Sequence, residues 1–497
     1  MRRTICMVLL LVMTCSTALA EDASRSWKEL HESGYTVQYR DDMEELARQI
    51  MPEILKRFNG TGKSQAQYDL EKLAQHKDEA CQLIAEQLGM AKPSKTIIDT
   101  FDQFHDLCMS VQSIGKCRWF RLWDANDLKA LLQTGYSDPW LTYIPETDSF
   151  FFGKQVTEHK KLPEIRVIPM IIEPNGQTKA LDQAIWYLDA CEDIREGNKV
   201  GMVCHESAEI AMVHDLEIQG AFRRWFTDGS AEYIAAMCLE KSLGKAASAE
   251  YLKDRDTAEY KDLKDKVDLL NWRAIDFDKD MGKMEQELLS AHYAYAAQEV
   301  CGLVKRHGPE TMPAIFKEIS KAAVIHSIGK VRDEHTILDA IKRVTGEDFK
   351  ARLGSYGSKS PDPLRGIVIT AVKLGIGERD PNAQRGWRLA EETTAIPLSM
   401  DENHRLYVKF WCTVMDAPAT VECECITKRK PEGHTTTEKQ SFSTKERYFW
   451  GCFSFTSGSD YMPGDATLKL YVNGKLCKEL PFTLVVPEKQ SVPSTGN

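Results

Sequence analysis

The chain contains 497 residues with a mass of 56.4 kDa, and 42% of its residues are hydrophobic. This length predicts about two to three domains, and the share of apolar and aromatic residues excludes global disorder. The formal net charge is −10, and the sequence has no basic run with interleaved aromatic residues, so binding to nucleic acid is not expected.

The first twenty residues have the layout of a secretory signal. Arg2 and Arg3 precede an apolar run at residues 8–13, and Ala20 is followed by two acidic residues. The run is shorter than the ~20 residues that a membrane-spanning helix needs, which favours cleavage after Ala20 over an amino-terminal anchor. We therefore predict a signal peptide at residues 1–20, an exported protein (periplasmic or extracellular) and no stable membrane span.

The cysteines are spread thinly along the chain. Cys6 and Cys15 belong to the predicted signal, which leaves 12 of the 14 for the mature protein. Export permits disulfide bonds, and their pairing is left open. No Cys-x-x-Cys pair occurs, which argues against a zinc site built from thiolates.

Residues 21–199 are predicted to mix helices and strands. Residues 35–40 alternate in the manner of a strand, and an amphipathic helix is predicted over residues 41–60. A second helix is predicted over residues 68–89. The apolar, β-rich run at residues 165–173 ends at a Pro-Asn-Gly turn, which is typical of a buried strand.

Residues 200–353 follow a mainly helical pattern. Helices are predicted over residues 200–213, 228–243, 291–307, 312–323 and 335–344. The polar stretch at residues 245–287 is predicted to be a solvated helix or an insertion, without an assigned function.

The pattern changes after a linker rich in Gly, Ser and Pro at residues 354–364. Short alternating strands follow over residues 368–373, 406–413, 420–426, 448–455, 467–472 and 476–486. Asn473 and Gly474 form a strong hairpin turn signal. We predict an all-β, immunoglobulin-like sandwich at residues 365–487, followed by a tail at residues 488–497.

The chemistry-bearing motif lies in the first predicted helix of the helical part. His205 and Glu209 are four residues apart, so on a helix both project from one face and can approach a single ion, with Glu206 beside them. This is the metalloprotease pattern H-E-x-x-H with its second histidine replaced, giving H-E-x-x-E. A His-Glu pair by itself is also common in ordinary helices.

A second segment, residues 225–233, places Asp228 at a predicted helix start, followed by small residues that permit close helix contact. Together the two segments resemble the gluzincin-type zinc metallopeptidases, in particular the peptidase MA-like family. In that family, the H-E-x-x-H helix is followed by a tryptophan-containing segment with an acidic residue before Gly, Ala and Tyr. Residues 292–309 and 341–346 resemble the helices that come next.

The resemblance implies an α+β fold with a zincin-like, mainly helical catalytic-type domain, and a set of site residues. His205 matches the first metal ligand, Glu209 the second and Asp228 the third. Glu206 matches the general base, and Glu232 matches the carboxylate one turn later that orients His205. The implied partner is a peptide or protein, as substrate or as ligand.

Three further side chains are candidates. Tyr293 or Tyr295 would stabilise an oxyanion, with helix packing as the ordinary alternative for both. His214 would supply a second nitrogen, provided that the helix ends before it, because nine residues along a continuous helix turn it away from His205.

The departures from the family motif have a physical consequence. Two imidazoles and one carboxylate leave a Zn²⁺ site with a charge of +1, whereas His205, Glu209 and Asp228 leave it neutral by formal counting, which acidifies a bound water less. The cofactor is therefore zinc, a harder divalent cation that accepts carboxylates, or none. Two functions follow as alternatives: metal-dependent peptide hydrolysis with altered ligands, or a catalytically inactive pseudopeptidase that acts as a binding or scaffold protein.

Overall fold

A computed structural model describes most of the chain. The described residues are 27–60, 63, 65–133, 141–144, 149–152, 166–173, 177–196, 199–253, 255–273, 286–324, 332–360, 362, 364–383, 386–398, 400, 403–430, 433–456 and 460–486. The predicted signal peptide and the predicted tail therefore lie outside the described residues.

The amino-terminal part is a small sheet flanked by helices. Its strands are β1 (Lys28–Glu32), β2 (Tyr35–Tyr39), β3 (Trp119–Asp124) and β6 (Val167–Ile172), in the order β1-β2-β3-β6. β1 pairs antiparallel with β2, whereas the pairs β2-β3 and β3-β6 are parallel. β4 (Leu141–Ile144) and β5 (Ser149–Phe152) form a separate hairpin. The mixture of helix and strand that the sequence predicts is confirmed here.

The described residues of this first part form six α-helices. They are α1 (Glu44–Phe58), α2 (Gln65–Gln75), α3 (Lys77–Gln87), α4 (Lys95–Gln112), α5 (Ala125–Gln133) and α6 (Gln177–Glu196). The single helix predicted over residues 68–89 is wrong, because the backbone leaves the helical region at His76 and divides it into α2 and α3. α4 was not predicted; the Ser94 side chain caps it by accepting a hydrogen bond from the amide of Ile97.

The next part is helical, as predicted. Its described helices are α7 (Val200–His214), α8 (Arg224–Leu243), α9 (Lys245–Lys253), α10 (Gln286–His307), α11 (Thr311–Lys321), α12 (Glu334–Thr345) and α13 (Phe349–Leu353). α8 begins at Arg224 rather than at Asp228, so the predicted helix start at Asp228 is wrong. The extra turn contains Trp225 and Phe226, both fully buried, and their packing outweighs the middling helix propensity of aromatic residues.

One hydrophobic core joins α7 and α8 to α2, α3 and α4. Leu70, Ile84 and Phe101 from the earlier helices belong to the same buried cluster as Val203 and Trp225. The two helices that carry the motif residues are therefore held from both sides by parts of the chain that are distant in sequence.

The small residues of α8 permit the close contact that the sequence predicts. A Cβ atom at Gly229 would lie 2.7 Å from the carbonyl oxygen of Ala296 and 2.9 Å from Val300 on α10. Glycine at this position therefore allows the backbones of α8 and α10 to approach.

The carboxyl-terminal part is built from antiparallel sheets. Its strands are β7 (Ile367–Arg379), β8 (Trp387–Glu392), β9 (Ala395–Pro397), β10 (His404–Val414), β11 (Ala419–Arg429), β12 (His434–Thr444), β13 (Tyr448–Phe455), β14 (Gly464–Val472) and β15 (Lys475–Val485). One sheet has the order β13-β10-β7-β8 and the other β12-β11-β14-β15-β9, with only the short β15-β9 pair parallel. Buried residues of both sheets form one shared core.

The predicted strands of this part are present, and three further strands were missed. Asn473 and Gly474 both have positive φ and join β14 to β15, as the hairpin signal predicts. β12 was missed because its residues alternate between exposed and half-buried without an apolar face; β8 and β9 are short. The chain is thus α+β overall, and the domain boundaries stay a prediction.

The sheets contact the helical part directly. Val368 and Met415 belong to the helical core, and the amide of Lys359, in the predicted linker, donates to the carbonyl of Asp265. Among the described residues, no helix is both long enough and apolar enough to cross a membrane.

Candidate metal centre

α7 brings three motif residues to one place. It is a largely apolar helix whose buried residues pack into the helical core. His205 and Glu209 lie one turn apart, with 3.7 Å between Nε2 of His205 and Oε2 of Glu209. The intervening Glu206 lies on the same helix, as the H-E-x-x-E spacing predicts.

α8 supplies two more carboxylates. Asp228 and Glu232 are one turn apart and essentially inaccessible, at 1% and 0% exposure. Oε1 of Glu232 lies 3.5 Å from Nδ1 of His205, so this imidazole has a carboxylate on each ring nitrogen. The structure therefore places Glu232 beside His205.

The predicted ligands converge. His205, Glu209 and Asp228 each offer one ligand atom, and these atoms all lie within 4.8 Å of one another. The distances between these ligand atoms are short enough for this buried group to hold a metal ion.

Arg224 was not predicted as a site residue. It precedes Asp228 by one turn and bonds both oxygens of that carboxylate, with Nε to Oδ2 at 3.2 Å and Nη2 to Oδ1 at 3.1 Å. Nη2 also donates to the hydroxyl of Tyr293 at 2.6 Å. The guanidinium lies over the ring of Trp272, 4.5 Å from its centroid. Arg and Asp at i, i+4 form an ion pair only where both lie on one helix, and the predicted helix began at Asp228, which left Arg224 outside it.

The other two carboxylates also have arginine neighbours. Nη1 of Arg223 lies 3.7 Å from Oε1 of Glu209, and Arg255 donates to Oε1 of Glu232 at 2.8 Å. Thus Glu209, Asp228 and Glu232 each have a guanidinium beside them. The negative charge of the cluster is balanced by side chains of the protein itself.

Burial and mutual contact shift the ionisation of the α7 residues. Burial lowers the pKa of His205, but Glu232 and Glu209 outweigh this and raise the pKa to about 9. Burial raises the pKa of Glu206 to about 7, against the opposing effect of His205. Burial acts to raise the pKa of Glu209 as well, yet the hydrogen bond and charge of His205 lower it to about 2. His205 and Glu209 are therefore a charged pair, and Glu206 is poised to carry a proton near neutral pH.

The α8 carboxylates differ from each other. Burial raises the pKa of Asp228 even though Arg224 opposes the shift. Burial would also raise the pKa of Glu232, but the positive charge of Arg255 outweighs it and lowers the pKa. Burial acts to lower the pKa of Arg224, and contact with Asp228 raises it above its ordinary value, so this guanidinium stays charged.

The two candidate tyrosines lie in different places. The Tyr293 ring is 6.5 Å from the His205 ring between centroids. The Tyr295 hydroxyl instead donates to the carbonyl of Tyr260 at 3.3 Å, and its ring packs against Tyr356. Two residues along α10 correspond to a rotation of about 200° about the helix axis, so the two tyrosines lie on nearly opposite faces of the helix. Tyr293 therefore lies beside the site and Tyr295 does not.

His214 is not a ligand. It could reach the site only if the helix ended before it, and α7 continues as far as His214 itself. That alternative is therefore wrong.

No protein-family model and no curated protein matches the chain. Among solved structures, the chain is similar to an immunoglobulin-like protein from Pseudomonas aeruginosa, at 16% identity and a TM-score of 0.18, over 24% of this chain and 96% of that one. It is similar to Pseudomonas fluorescens alkylpurine DNA glycosylase AlkC, solved bound to DNA with an abasic site analog, at 12% identity and a TM-score of 0.17, over 61% and 85%.

A third solved structure is Legionella pneumophila aminopeptidase A in complex with aspartic acid. It is similar at 10% identity and a TM-score of 0.26, over 90% of this chain and 37% of that one. At these TM-scores none of the three similarities carries an argument about fold or function. The candidate site therefore rests on its own geometry.

Proposed function

We propose that the protein is a gluzincin-like pseudopeptidase, which holds a peptide or protein ligand without hydrolysing it. One observation carries the proposal: both oxygens of Asp228, the third ligand position, are hydrogen-bonded by Arg224. A cation of the protein itself thus bonds the carboxylate that the family resemblance would assign to a metal.

The charges support this proposal. Arg224 neutralises Asp228, and Arg223 lies beside Glu209. A divalent ion shared by these carboxylates would lie close to both guanidinium groups. Two unit charges of like sign 4 Å apart repel by about 4 kcal/mol at an effective dielectric constant of 20. The ligand atoms of His205, Glu209 and Asp228 are thus close enough together to hold a metal. Their negative charge, however, is already balanced by the arginines.

Withdrawal of Arg224 to admit a metal would be costly. Its guanidinium is held over Trp272 and bonded to the Tyr293 hydroxyl as well as to Asp228. Removal of one partner from a buried ion pair costs about 3–5 kcal/mol, because it leaves a buried charge uncompensated. The arrangement therefore favours a permanent arginine contact over an exchangeable metal site.

The remaining parts of the chain extend the proposal. A peptide or protein is the ligand class that the family resemblance implies, and the two-sheet carboxyl-terminal part, as an immunoglobulin-like module, would add a binding surface or a spacer. We propose export, to the periplasm or to the outside of the cell, from the sequence of residues 1–20. Nucleic acid is not among the proposed partners, because the chain is acidic.

The second candidate function is metal-dependent peptide hydrolysis, and the clustering of ligand atoms within 4.8 Å favours it. His205, Glu209 and Asp228 would hold zinc or a harder divalent cation, which when bound would polarise a carbonyl and acidify a water. Glu206, with a pKa raised by burial to about 7, would accept the proton.

Metal content and peptide cleavage separate the two candidates. The purified full chain is analysed for bound metals by mass spectrometry and incubated with a broad peptide library, with and without chelator. We expect less than stoichiometric metal, no cleavage, and peptide binding that chelator does not change. Stoichiometric metal together with cleavage that chelator abolishes would overturn the pseudopeptidase and establish the second candidate.

A restored site provides the positive control. Glu209→His with Asp228→Glu rebuilds the family ligand set, and adding Arg224→Met removes the competing cation. We expect the triple variant to bind zinc more tightly than the double variant. Arg343→Gln, which changes an arginine that is 55% exposed and lies beside Glu318, is the matched control and should leave zinc binding as in the parent.

A further inference from the structure

Two consecutive acidic residues, Asp333 and Glu334, are buried at the start of α12. Each is only 1% exposed. Neither carboxylate oxygen of Glu334 accepts a hydrogen bond from any other described residue. A buried carboxylate without such partners is expensive to ionise. Asp333 caps α12 by accepting a hydrogen bond from the amide of Thr336, but this cap does not explain the burial of Glu334.

The acid pair lies where the helical part meets the sheets. The Tyr448 hydroxyl, on β13, donates to Oδ2 of Asp333. On the other side of Glu334, Nε2 of His335 donates to the carbonyl of Met415 at 3.1 Å, and it lies 3.5 Å from Oε1 of Glu334. Residues on both sides of Glu334 are thus bonded to the carboxyl-terminal sheets.

The remaining neighbours close the site. Gly220, in the loop between α7 and α8, lies so close that a Cβ atom there would be 3.5 Å from Oε2 of Glu334 and 3.4 Å from Asp333. The cations whose charge reaches Glu334 are Lys350 of α13 and Arg447 beside β13. Lys350 is bonded to Asp416 at 3.1 Å, which is a further link between helices and sheets.

We propose that Glu334 makes the contact between the helical part and the carboxyl-terminal sheets depend on protonation. When Glu334 is neutral it lies at the junction without an uncompensated charge, and the sheets stay docked. When it ionises, its charge faces that of Asp333 in a dry site, and the junction loosens.

The ionisation of the neighbouring groups supports the proposal. Burial, and then the charge of Asp333, raise the pKa of Glu334 to about 8. Burial, and then the charge of Glu334, raise the pKa of Tyr448, so the sheet side responds to the same carboxylate. Burial lowers the pKa of His335 from its ordinary value of 6.5, so its titration lies below pH 6.5, whereas docked Glu334 titrates near pH 8.

The direction of the effect follows from linkage. The docked state keeps the proton on Glu334 up to a pH of about 8, whereas an exposed glutamate loses it near 4.5. Docking is therefore strongest at low pH, weakens by about tenfold for each pH unit as pH rises between these values, and changes no further above about pH 8. This inference does not depend on the proposed function, because the acid pair lies outside the candidate metal centre.

Tryptic cleavage and solution scattering of the full chain test the inference. Lys359 and Arg365 lie in the segment that joins the two parts, and cleavage there reports opening, corrected at each pH by the cleavage rate of an unstructured peptide. Between pH 6.5 and pH 9 we expect the corrected rate for the wild type to rise by roughly tenfold or more, with an increase in the maximum particle dimension.

Glu334→Gln keeps the shape of the side chain and removes its charge, so it should give a flat profile with the junction closed. Glu287→Gln changes an exposed glutamate on α10 and should follow the wild type. A wild-type profile that is flat, or one that Glu334→Gln leaves unchanged, would overturn the proposal. The pH profile of the wild type is measured without the variant, so a flat wild-type profile would overturn the proposal even if Glu334→Gln fails to fold.

Discussion

Arg224 and Asp228 face each other one turn apart on α8, joined by two hydrogen bonds of 3.2 Å and 3.1 Å. A planar guanidinium that binds a carboxylate through two parallel bonds is the strongest form of side-chain ion pair. Here the pair is nearly inaccessible, with side-chain exposures of 12% and 1%. The pair therefore distinguishes this site from a simple metal centre. It also allows the contribution of a buried ion pair to the free energy of unfolding to be measured.

Arg224→Met should destabilise the protein by about 3–5 kcal/mol, because it leaves the Asp228 carboxylate buried without its cation. The double change Arg224→Met with Asp228→Leu should recover most of that loss, since an apolar pair of similar volume needs no charge compensation. Urea unfolding of the wild type, the two single variants and the double variant measures the coupling.

The same four proteins can contradict the interpretation. If the double variant is as unstable as Arg224→Met alone, the arginine stabilises through Trp272 and Tyr293 rather than through Asp228. If Arg224→Met costs less than about 1 kcal/mol, the pair behaves as an exposed salt bridge and its role as a substitute cation fails.

The sequence alone predicted the part of this site that lies on a single helix. His205, Glu206 and Glu209 follow from spacing along α7, and the periodicity that predicts α7 is confirmed. The convergence of Asp228 with them, within 4.8 Å, depends on how two helices pack, and it was expected only from the family resemblance. Arg224 was missed because the predicted helix began at Asp228, whereas α8 begins one turn earlier, at Arg224.

The fold shows the same division between local and distant information. The hairpin at Asn473 and Gly474 is encoded by two residues that accept positive φ, and it was predicted. The helix predicted over residues 68–89 is divided by a single change of backbone conformation at His76. No Pro or Gly at this position signals the break in the sequence. The strand order, including the parallel neighbours β2, β3 and β6, has no local signature at all.

Chelator should have no effect on stability. Because guanidinium groups already neutralise the carboxylates of Glu209 and Asp228, removal of divalent ions takes no compensating charge away. We expect the thermal midpoint of the protein to be the same within about 1 °C with and without EDTA, whereas loss of a structural ion at this site would lower it by several degrees.

Added zinc provides the complementary measurement. A ligand that binds only the folded state stabilises it by RT ln(1 + [L]/Kd). If the wild type does not bind zinc, as we propose, micromolar zinc should leave its thermal midpoint unchanged. The variant with Glu209→His, Asp228→Glu and Arg224→Met should show an upward shift that EDTA reverses. A zinc-dependent shift in the wild type would instead indicate that the native residues bind the ion.

Glu347 should make stability depend on pH in the acid range. The hydrogen bond from Arg306 lowers the pKa of Glu347 to about 2, with help from His307. A carboxyl group with a lowered pKa in the folded state contributes stability above its unfolded value of about 4.5, and this contribution is lost as pH falls through about 2. Because the group is 27% exposed, we expect only about 1 kcal/mol.

The measurement compares Glu347→Gln with the wild type by urea unfolding at pH 7, 4 and 3. The variant should be less stable by about 1 kcal/mol at pH 7, and the difference should shrink at pH 3. Glu287→Gln, which changes an exposed glutamate, is the control and should match the wild type throughout. A difference that stays constant with pH would mean that the substitution acts through packing rather than through charge.

Gly229 should be intolerant of even one added methyl group. A Cβ atom there would lie 2.7 Å from the backbone oxygen of Ala296 and 2.9 Å from Val300, so α8 and α10 would have to separate. We expect Gly229→Ala to destabilise the protein by about 1–3 kcal/mol, as overpacking of a well-filled core does, despite the gain in helix propensity from replacing a glycine.

Gly302 is the matched control, because it is also a glycine within a helix, but the nearest atom to an added Cβ is a side-chain atom, Nη1 of Arg306, at 3.2 Å rather than a backbone atom. Gly302→Ala should therefore be neutral or stabilising by up to about 1 kcal/mol. Since α8 carries Arg224 and α10 carries Tyr293, separation of these helices should also lengthen the 2.6 Å hydrogen bond between them. Equal stability for the two variants would show that α8 and α10 pack less closely than their backbones indicate.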